Sequence, residues 1–454
     1  MVKEKLGQKV MKPLLIRDGH IIDLSQGIDQ VGSLLITEGN ISWLGSEEDV
    51  PSQRDYDIIN ARRLIVCPGL IDLHCHLRQP GFEDKETIAT GTRAAARGGF
   101  TTICCMPNTN PPLDNRATVD YVKSVAVKEG VITVLPIGCV SKGRKGEELA
   151  ELSELASAGV VALSDDGQPV KNSRLMRQAL EHSCNLDLPI IDHCEDTTLT
   201  DGGVMNEGII STRLGLRGMP AAAEEIIVAR DLALAQLTGG WLHIAHVSTE
   251  GSVDLIRRAK DKGIKVTAEV TPYHLTLTEK KVIGYNTNAK VNPPLRTKKD
   301  IQALIQGLKD NVIDIIATDH APHTEADKRC NFTLAPFGIS GFETALGSLM
   351  SLVHDGHITL TTLISKLTHK PAKIIKHGKL GTLAIGAPAD VTIFDPDMEW
   401  IVDTKAFASK GKNTPLAGAV LKGKVIATIS RGKLIYKDGS VKLESNQLKI
   451  LKES

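Results

Sequence analysis

The middle of the chain alternates between short apolar runs and longer amphipathic stretches. From residue 68 onward, eight apolar runs of strand length end near His76, Pro107, Val140, Asp166, Glu195, Ser248, Pro272 and His320. The intervening stretches predict helices, for example over residues 86–97, 147–158, 221–237, 250–262 and 298–308. Eight strand–helix units in succession are typical of a (β/α)8 TIM-like barrel, an α/β fold whose functional site lies where the strands end.

The segments on either side of this pattern look different. Residues 12–67 contain short strands broken by turn dipeptides such as Asp18-Gly19, and strand patterns return from about residue 379. We expect the two flanks to pair into one small β-sandwich domain built from both termini. The predicted division is 1–67 for the first part of the sandwich, 68–376 for the barrel and 377–454 for the second part of the sandwich.

Ionisable side chains stand at most of the predicted strand ends. They are, in chain order, His74 and His76, Asp165 and Asp166, His193, His243 and His246, and Asp319. Burying such groups on one rim costs several kcal/mol per unpaired charge unless a metal ion or a network compensates. Imidazole and carboxylate ligands favour Zn²⁺ or a similar divalent ion, and this many of them suit two ions that share a bridging carboxylate.

Strand alternation predicts which neighbours face the site. His74 and His76 point the same way, whereas Cys75 points the opposite way. The same rule allows only one of His243 and His246 to face inward.

Three further assignments are less direct. Alternation turns Cys194 away from the face of His193, which favours a packing role. Asp72 shares the inward face of His74, where it either orients an imidazole or is a polar residue at the barrel bottom. The polar stretch 325–335, which runs into 336–338, is either a lid or an ordinary surface loop.

Composition excludes several classes of protein. Lysine plus arginine and aspartate plus glutamate each number 54, so no basic excess indicates nucleic acid or an anionic membrane. Aromatic residues make up 3%, too few for a base-stacking platform. No apolar run is long enough to span a bilayer, and residues 1–10 lack the apolar core of a secretory signal. The eight cysteines lie mostly in apolar strands, which predicts reduced packing residues of a cytoplasmic protein.

These motifs resemble a known family. His74-Cys75-His76, His193, His246 and Asp319 are similar to the metal-site pattern of the amidohydrolase superfamily. Within it, the motifs PGLIDLHCHLR (68–78), MPNT (106–109), ATDHAPH (317–323) and KGKNTP (410–415) resemble the dihydroorotases of the bacterial type I class. The resemblance covers nearly the whole chain. It implies reversible hydrolysis of (S)-dihydroorotate to N-carbamoyl-L-aspartate in the biosynthesis of UMP and the other pyrimidines.

The resemblance also implies a set of site residues. Two zinc ions per subunit are expected, bridged by Asp166 and a hydroxide. The implied metal ligands are His74, His76, Asp166, His193, His246 and Asp319, and Asp319 is also the implied catalytic acid and base. The implied substrate contacts are His76, Arg78, Asn108, Asn292, His323, Phe337 and Gly338. Among these, Arg78, Asn108 and His323 correspond to contacts of the substrate carboxylate.

Two departures from the family pattern matter. Gln79 stands where many members have glutamate, which we interpret as tolerated. Residues 159–167 contain no lysine, so a carboxylate must replace the carboxylated lysine with which many superfamily members bridge their metals. This agrees with type I dihydroorotases and argues against hydantoinases and allantoinases.

Two other functions stay open. The first is a hydantoinase-like or allantoinase-like enzyme for another cyclic amide. The second is an inactive dihydroorotase-like subunit that supports assembly with aspartate transcarbamoylase. The expected partners are therefore the small-molecule substrate and, as the resemblance allows, aspartate transcarbamoylase, with no nucleic acid and no membrane. We also expect a homo-oligomer.

Overall fold

The computed structural model describes residues 12–51, 56–439 and the backbone of 443–445. The prediction of no secretory signal rests on residues 1–10, which lie outside the described residues. The chain opens with five strands: β1 (Leu14–Asp23), β2 (Ile28–Thr37), β3 (Asn40–Gly45), β4 (Asp57–Asn60) and β5 (Ile65–Pro68). Strand β1 pairs in parallel with β4 along its first half and with β5 along its second half.

Eight parallel strands then form the wall of a barrel. The first five are β6 (Leu70–Cys75), β7 (Phe100–Cys105), β8 (Thr133–Pro136), β9 (Leu163–Ser164) and β10 (Ile190–Asp192). A separate short pair follows, β11 (Met205–Asn206) and β12 (Gly218–Met219). The wall resumes with β13 (Leu242–Ile244), β14 (Val266–Val270) and β15 (Ile315–Ile316). The eight strands form two hydrogen-bonded sheets, β6-β7-β8 and β9-β10-β13-β14-β15. Parallel bridges between Gly138 and Leu163 and between Cys75 and His320 join these two sheets and close the barrel.

Helices connect and surround these strands. They are α1 (Ile88–Arg97), α2 (Arg116–Glu129), α3 (Leu152–Ala158), α4 (Ser173–Leu186), α5 (Thr197–Thr200), α6 (Ile209–Leu214), α7 (Ala222–Thr238), α8 (Glu250–Asp261), α9 (Pro272–Thr276), α10 (Lys298–Lys309), α11 (Glu325–Lys328), α12 (Phe342–His354), α13 (Leu360–Leu367) and α14 (His369–Ile374). The predicted α/β barrel is confirmed, and four of the five example helices match within two residues.

The exception is α3, which begins at Leu152 and not at residue 147. Residues 146–148 before it form bends, and Leu149 forms a bridge with Ser141. Lys142 N donates to Glu148 O and Ala150 N donates to Val140 O, each at 2.9 Å. These bonds to a neighbouring loop replace the first helical turn that the sequence pattern predicts.

The last four strands return to the first five. They are β16 (Val391–Ile401), β17 (Val420–Ser430), β18 (Lys433–Lys437) and β19 (Leu443–Ser445). Along one path the sheet order is β18-β17-β16-β5-β1-β2-β3, and β19 joins through β4. The prediction of a small β domain built from both termini is therefore confirmed, and among the described residues its strands belong to one sheet where a β-sandwich was predicted. The boundaries 1–67, 68–376 and 377–454 stay a prediction, and parts of both outer segments lie outside the described residues.

Each unit has its own apolar core. The sheet domain buries side chains such as Leu34, Ile36, Val391 and Ile393, while the barrel wall packs against its helices through a larger cluster. Six of the eight cysteines are buried, as their apolar sequence context predicts. Within the described residues, no helix combines the length and the apolar character needed to cross a membrane.

Candidate active site

The six predicted metal ligands meet at the carboxyl end of the barrel strands. His74 lies on β6 and His76 just beyond it, while Asp166, His193, His246 and Asp319 follow the ends of β9, β10, β13 and β15. All six are buried. The barrel therefore brings together residues that are far apart in the chain, as the strand-end argument predicts.

Asp166 lies between two pairs of histidines. Its Oδ2 is 3.4 Å from His74 Nε2 and 3.6 Å from His76 Nε2. Its Oδ1 is 3.5 Å from His246 Nε2 and 3.7 Å from His193 Nδ1. Each oxygen thus faces one pair of imidazoles, which is the placement that a bridging carboxylate requires.

Asp319 completes the first pair. Its Oδ1 is 2.9 Å from His76 Nε2 and 3.5 Å from His74 Nε2, while its Oδ2 accepts a hydrogen bond from the Tyr273 hydroxyl. The backbone of Asp319 adopts a φ of +44°, in the left-handed region that non-glycine residues seldom occupy. Such a conformation persists only where its surroundings hold it, and it is common at functional sites.

Three of the histidines are oriented by a second partner on the far side of the ring. His74 Nδ1 lies 2.6 Å from Glu269 Oε1, His76 Nδ1 lies 2.9 Å from Asn108 Oδ1, and His193 Nε2 lies 3.0 Å from Glu195 Oε2. These bonds fix the ring orientations, so the opposite nitrogen of each ring is turned towards Asp166. Metal-binding histidines commonly have such outer partners.

Electrostatics in the cluster follow from this geometry. Burial opposes ionisation of Asp166, but the adjacent imidazoles hold the pKa of this carboxyl well below its usual range. Burial likewise opposes ionisation of Glu269, yet His74 and His243 lower its pKa to about 2. Burial disfavours charge on His193, but Asp166 and Glu195 raise its pKa to about 10. The ionised carboxylates thus favour protonated imidazoles in this cluster. A divalent cation bound there would replace the imidazole protons as the source of positive charge.

The donor set fits divalent metal ions. His74 Nε2, Asp166 Oδ1 and His246 Nδ1 are buried and have no hydrogen-bond partner among the described residues. Two overlapping groups, His74–His76–Asp319 and His74–Asp166–His246, bring their donor atoms within 4.8 Å of one another. Imidazole nitrogens and carboxylate oxygens without thiolate are ligands that suit zinc and related ions.

The cluster opens into a cavity of about 310 Å³. Six of the seven predicted substrate contacts line it, namely His76, Arg78, Asn108, Asn292, Phe337 and Gly338. His323 lies behind this wall, where its Nε2 donates to Phe337 O at 2.7 Å and lies 3.4 Å from Arg78 Nη2. The cavity therefore joins the cluster of histidines and aspartates to a wall that carries a guanidinium.

Comparison with known proteins shows the family of this chain. The family model described as dihydro-orotase-like matches residues 62–252. The dihydroorotase of Caldanaerobacter subterraneus subsp. tengcongensis is 52% identical over 424 residues, which cover 93% of this chain and 97% of that protein. The dihydroorotase of Pelotomaculum thermopropionicum is 51% identical over 426 residues, 94% of this chain and 99% of that protein. This chain belongs to the dihydroorotase family.

Solved structures of other proteins share the fold of this chain. The L-hydantoinase (dihydropyrimidinase) from Arthrobacter aurescens superimposes with a TM-score of 0.84 at 24% identity, covering 96% of this chain and 99% of that chain. The dihydropyrimidinase from Brevibacillus agri gives a TM-score of 0.81 at 24% identity, covering 94% and 95%. At this identity the likeness extends to the fold alone.

The dihydroorotase-type signature at the end of β6 continues into a turn that alternation does not describe. The strand ends at Cys75, and Arg78 has a φ of +63°. Its Nε donates to Pro322 O at 3.2 Å. Arg78 therefore lies in a left-handed turn beyond the end of β6, and from this turn it lines the cavity.

Alternation also fails at the end of β13. The strand ends at Ile244, and a φ of +31° at His246 turns that ring towards His193, with Nε2 2.9 Å from His193 Nδ1. His243 is also buried inside, where its Nε2 lies 3.2 Å from Glu269 Oε2. The expectation that only one of the two histidines would face inward is wrong, because the second lies beyond the regular strand.

Asp72 takes neither of its two expected roles. Its carboxylate accepts hydrogen bonds from Thr318 N and Thr318 Oγ1, both at 2.7 Å. It therefore fixes the residue that precedes Asp319. Gln79, the departure from the family pattern, accepts a hydrogen bond from Ile88 N at 2.9 Å and so supports the start of α1.

The neighbouring aspartates 165 and 166 have distinct surroundings. Asp165 Oδ1 accepts from Val140 N and Ser141 N, each at 3.0 Å, and points away from the histidines. Cys194 Sγ lies 3.7 Å from Asp231 Oδ2 and also contacts Asp192, so it faces away from the cluster as alternation predicts.

Sequence reasoning missed Glu269, Tyr273 and Glu195, which orient the predicted ligands. Glu269 carried a usable signal, since it is the one charged residue in the apolar strand Val266–Val270. Glu195 stands at a predicted strand end, so its position also carried a usable signal. Tyr273 lies on the short helix α9 after β14, and nothing local marks it.

The stretch 325–338 is anchored to the protein by two buried lysines. Lys290 Nζ donates to Phe332 O and Thr333 O at 2.8 and 3.0 Å, and Lys328, which belongs to the stretch itself, donates through Nζ to Thr287 O at 3.2 Å. Residues 336–338 line the cavity, whereas most of 325–331 is exposed or half-buried. The stretch thus forms one wall of the site.

Proposed function

We propose that the protein is a dihydroorotase, which hydrolyses (S)-dihydroorotate to N-carbamoyl-L-aspartate and closes the ring in the reverse direction. The observation that carries the proposal is that Arg78 lines the same cavity as the histidine and aspartate cluster. A guanidinium binds a carboxylate through a planar, bidentate fork. Dihydroorotate has a carboxylate beside its scissile amide, whereas hydantoin and dihydrouracil have none.

We propose that the cluster holds two zinc ions. His74 and His76 would hold the first with Asp319, His193 and His246 the second, and Asp166 would bridge them. When bound, the ions would supply a water of lowered pKa and polarise a carbonyl oxygen. Glu269, Asn108 and Glu195 keep the imidazoles in the required orientation.

Asp319 is the proposed acid and base. Its carboxylate takes a proton from the attacking water and delivers it to the ring nitrogen as the carbon–nitrogen bond of the amide breaks. In ring closure the same carboxylate removes the proton from that nitrogen and returns it to the departing water. The Tyr273 hydroxyl, bonded to Oδ2, keeps the carboxylate in one orientation for both directions.

The proposed carboxylate clamp consists of Arg78 and Asn108. Arg78 uses Nε on Pro322 O, which leaves the ends of its guanidinium for the substrate. Asn108 uses its side-chain carbonyl on His76, which leaves its amide nitrogen as a donor. His323 supports the clamp from behind through its contact with Arg78 and its bond to Phe337 O.

The proposed ring contacts are Asn292, Phe337 and Gly338. Asn292 Nδ2 donates to Glu195 Oε2 at 2.8 Å, which fixes the amide beside the second pair of histidines. Phe337 and Gly338 line the same cavity.

The decisive experiment is metal analysis of the purified protein, combined with ring-opening and ring-closing rates on dihydroorotate and N-carbamoyl-L-aspartate. We expect zinc near two ions per chain and turnover in both directions. Faster turnover of hydantoin or dihydrouracil than of dihydroorotate would support another cyclic amidohydrolase. Full metal content without turnover of any of these would support the inactive assembly subunit.

We also propose a cytoplasmic location, which the buried, unpaired thiols support. A homo-oligomer and an association with aspartate transcarbamoylase stay predictions. Sedimentation of the protein alone and mixed with that enzyme tests both.

A further inference from the structure

A segment far from the barrel in sequence lies against the wall of the substrate cavity. Residues 409–414 follow the last barrel helix and precede β17, yet they pack on the loops after β15. We propose that this segment, here called the C-terminal strap, sets the shape of the substrate site, with Asn413 as its positioning residue. The inference rests on the proposed function, since it concerns a wall of the same site.

Asn413 joins two loops through one amide group. Its Nδ2 donates to Ala321 O at 3.1 Å and to Gly338 O at 3.0 Å. Its Oδ1 accepts from His323 N at 2.9 Å and from Ser340 Oγ at 2.8 Å. The side chain is 3% exposed, and all its hydrogen-bonding capacity is used. One residue therefore fixes the distance between the loop that carries His323 and the loop that carries Gly338.

Gly411 brings the strap against the clamp. A Cβ at this position would lie 2.4 Å from Pro322 Cβ and 2.7 Å from Ser340 Oγ, so a side chain does not fit without displacement. The carbonyl of Pro322 is the acceptor for Arg78 Nε. The strap thus packs against Pro322, the residue whose carbonyl accepts the hydrogen bond from Arg78.

Glu86 anchors the other end of the strap. This fully buried carboxylate accepts from Lys410 N at 3.2 Å and from the Ser409 hydroxyl, and it lies 3.4 Å from His320 Nε2. The strap is therefore held on both sides of the loop that follows Asp319. Its position is fixed by hydrogen bonds that reach the rim and not by its own secondary structure.

Removing the Asn413 amide should loosen the wall without unfolding the protein. The two loops keep a direct backbone bond, from Ala321 N to Ile339 O at 2.9 Å. The proposed metal-binding histidines are oriented by other hydrogen bonds, which do not involve Asn413. Displacement of binding groups by about 1 Å costs up to about a hundredfold in rate or binding terms. We therefore expect weaker substrate binding with the metal site intact.

The kinetic test uses two variants and a matched control. Asn413→Ala removes all four side-chain hydrogen bonds. Asn413→Asp keeps the two bonds that Oδ1 accepts, but it places a carboxylate oxygen against the carbonyl oxygens of Ala321 and Gly338 and so removes the two donated bonds. Asn206→Ala is the control, because Asn206 is also buried, with bonds to Glu279 Oε2 at 2.7 Å and from Arg296 Nη1 at 2.9 Å, and it lies outside the cavity. Both Asn413 variants should raise KM for dihydroorotate about ten- to a hundredfold, with unchanged metal content and a smaller effect on kcat. Asn206→Ala should lower thermal stability without raising KM.

The second readout does not depend on the substrate. Amide hydrogen exchange over residues 321–323 and 338–340 should be faster in both Asn413 variants than in the wild type and in Asn206→Ala. Unchanged exchange would overturn the proposal, as would faster exchange with a normal KM and a reduced kcat. If the wild type does not turn over dihydroorotate, the proposed function fails, whereas the exchange rates still decide whether the strap holds the two loops. Should Asn413→Ala not fold, Asn413→Asp carries both tests.

Discussion

The Tyr273 hydroxyl donates a hydrogen bond to Asp319 Oδ2, while Asp319 Oδ1 lies 2.9 Å from His76 Nε2. The two carboxylate oxygens of the proposed acid–base residue therefore have different surroundings. Oδ1 lies beside the imidazoles of His76 and His74, and Oδ2 accepts the hydrogen bond of the Tyr273 phenol. Because Tyr273 comes from α9 after β14 and Asp319 follows β15, this contact depends on two adjacent strand ends of the barrel.

Tyr273→Phe should lower kcat about ten- to a hundredfold. A hydrogen bond to a charged group is worth about 1.5–3 kcal/mol, and its loss frees the carboxylate to rotate. Metal content should not change, because the ligands remain. Tyr285→Phe is the control, since that exposed hydroxyl donates only to Leu214 O. A normal kcat in Tyr273→Phe would show that Asp319 does not need this orientation.

The two adjacent aspartates should respond differently to substitution. Asp166→Asn should reduce metal content and activity together, because Asp166 alone faces both histidine pairs. Asp165→Asn should lower the melting temperature and keep most of the metal, because Asp165 holds the backbone of Val140 and Ser141. Metal analysis and thermal unfolding of both proteins decide the matter. Loss of metal in Asp165→Asn alone would mean that the wrong aspartate has been assigned.

Glu269→Gln should weaken metal binding about ten- to a hundredfold, the usual effect of removing an outer partner of a metal-binding histidine. Its carboxylate orients His74 and also contacts His243. The measurement is zinc retention in competition with a chelator. Glu343→Gln is the control, because that carboxylate is buried as well but lies on α12 and contacts the backbone of Ala408. Equal zinc retention in the two variants would exclude the orienting role.

Arg78→Ala should reduce kcat/KM for dihydroorotate about ten- to a hundredfold or more, because a charged hydrogen bond to the carboxylate is lost. Zinc content should stay the same, since Arg78 is not a proposed ligand. Dihydrouracil, which lacks the carboxylate, serves as the control substrate. The wild-type preference for dihydroorotate should collapse in the variant. Wild-type protein that used dihydrouracil equally well would refute the substrate assignment itself.

Glu343 should make stability depend on pH. Burial raises the pKa of its carboxyl from 4.5 to about 7, although the amides of Ala408 and Ser409 and the guanidinium of Arg97 oppose this. The folded state therefore binds more protons than the unfolded state between about pH 4.5 and 7, so stability falls as pH rises through this window.

Glu343→Gln should remove that fall. The free energy of unfolding of the wild type, minus that of the variant, should decrease on the order of 2 kcal/mol from pH 4.5 to 7. Denaturant unfolding across this range measures it, and the difference between the two proteins cancels the contribution of bound metal. Glu129→Gln, at an exposed position on α2, controls for a general change of charge. A pH-independent difference would contradict the raised pKa.

The local pattern of the sequence was enough for the barrel, the two-ended sheet domain and the candidate ligands. Apolar periodicity is a property of neighbouring residues, so eight strand–helix units are visible without any contact information. His74-Cys75-His76 and the aspartate and histidine positions after the other strands also stand out locally. The choice of Asp166 over Asp165 came from the family resemblance, because both follow the same strand.

Only the tertiary structure decided which groups meet and how they are turned. His74 and Glu269 are 195 residues apart, and their hydrogen bond exists because the barrel places β6 and β14 on one wall. Arg78, His246 and Asp319 reach the site through positive φ angles beyond the ends of their strands, where alternation no longer applies. Asn413 reaches the rim from a segment that the sequence alone places in the other domain. These relationships depend on the closure of the barrel and on backbone conformations that neighbouring packing maintains, so no local pattern of residues could predict them.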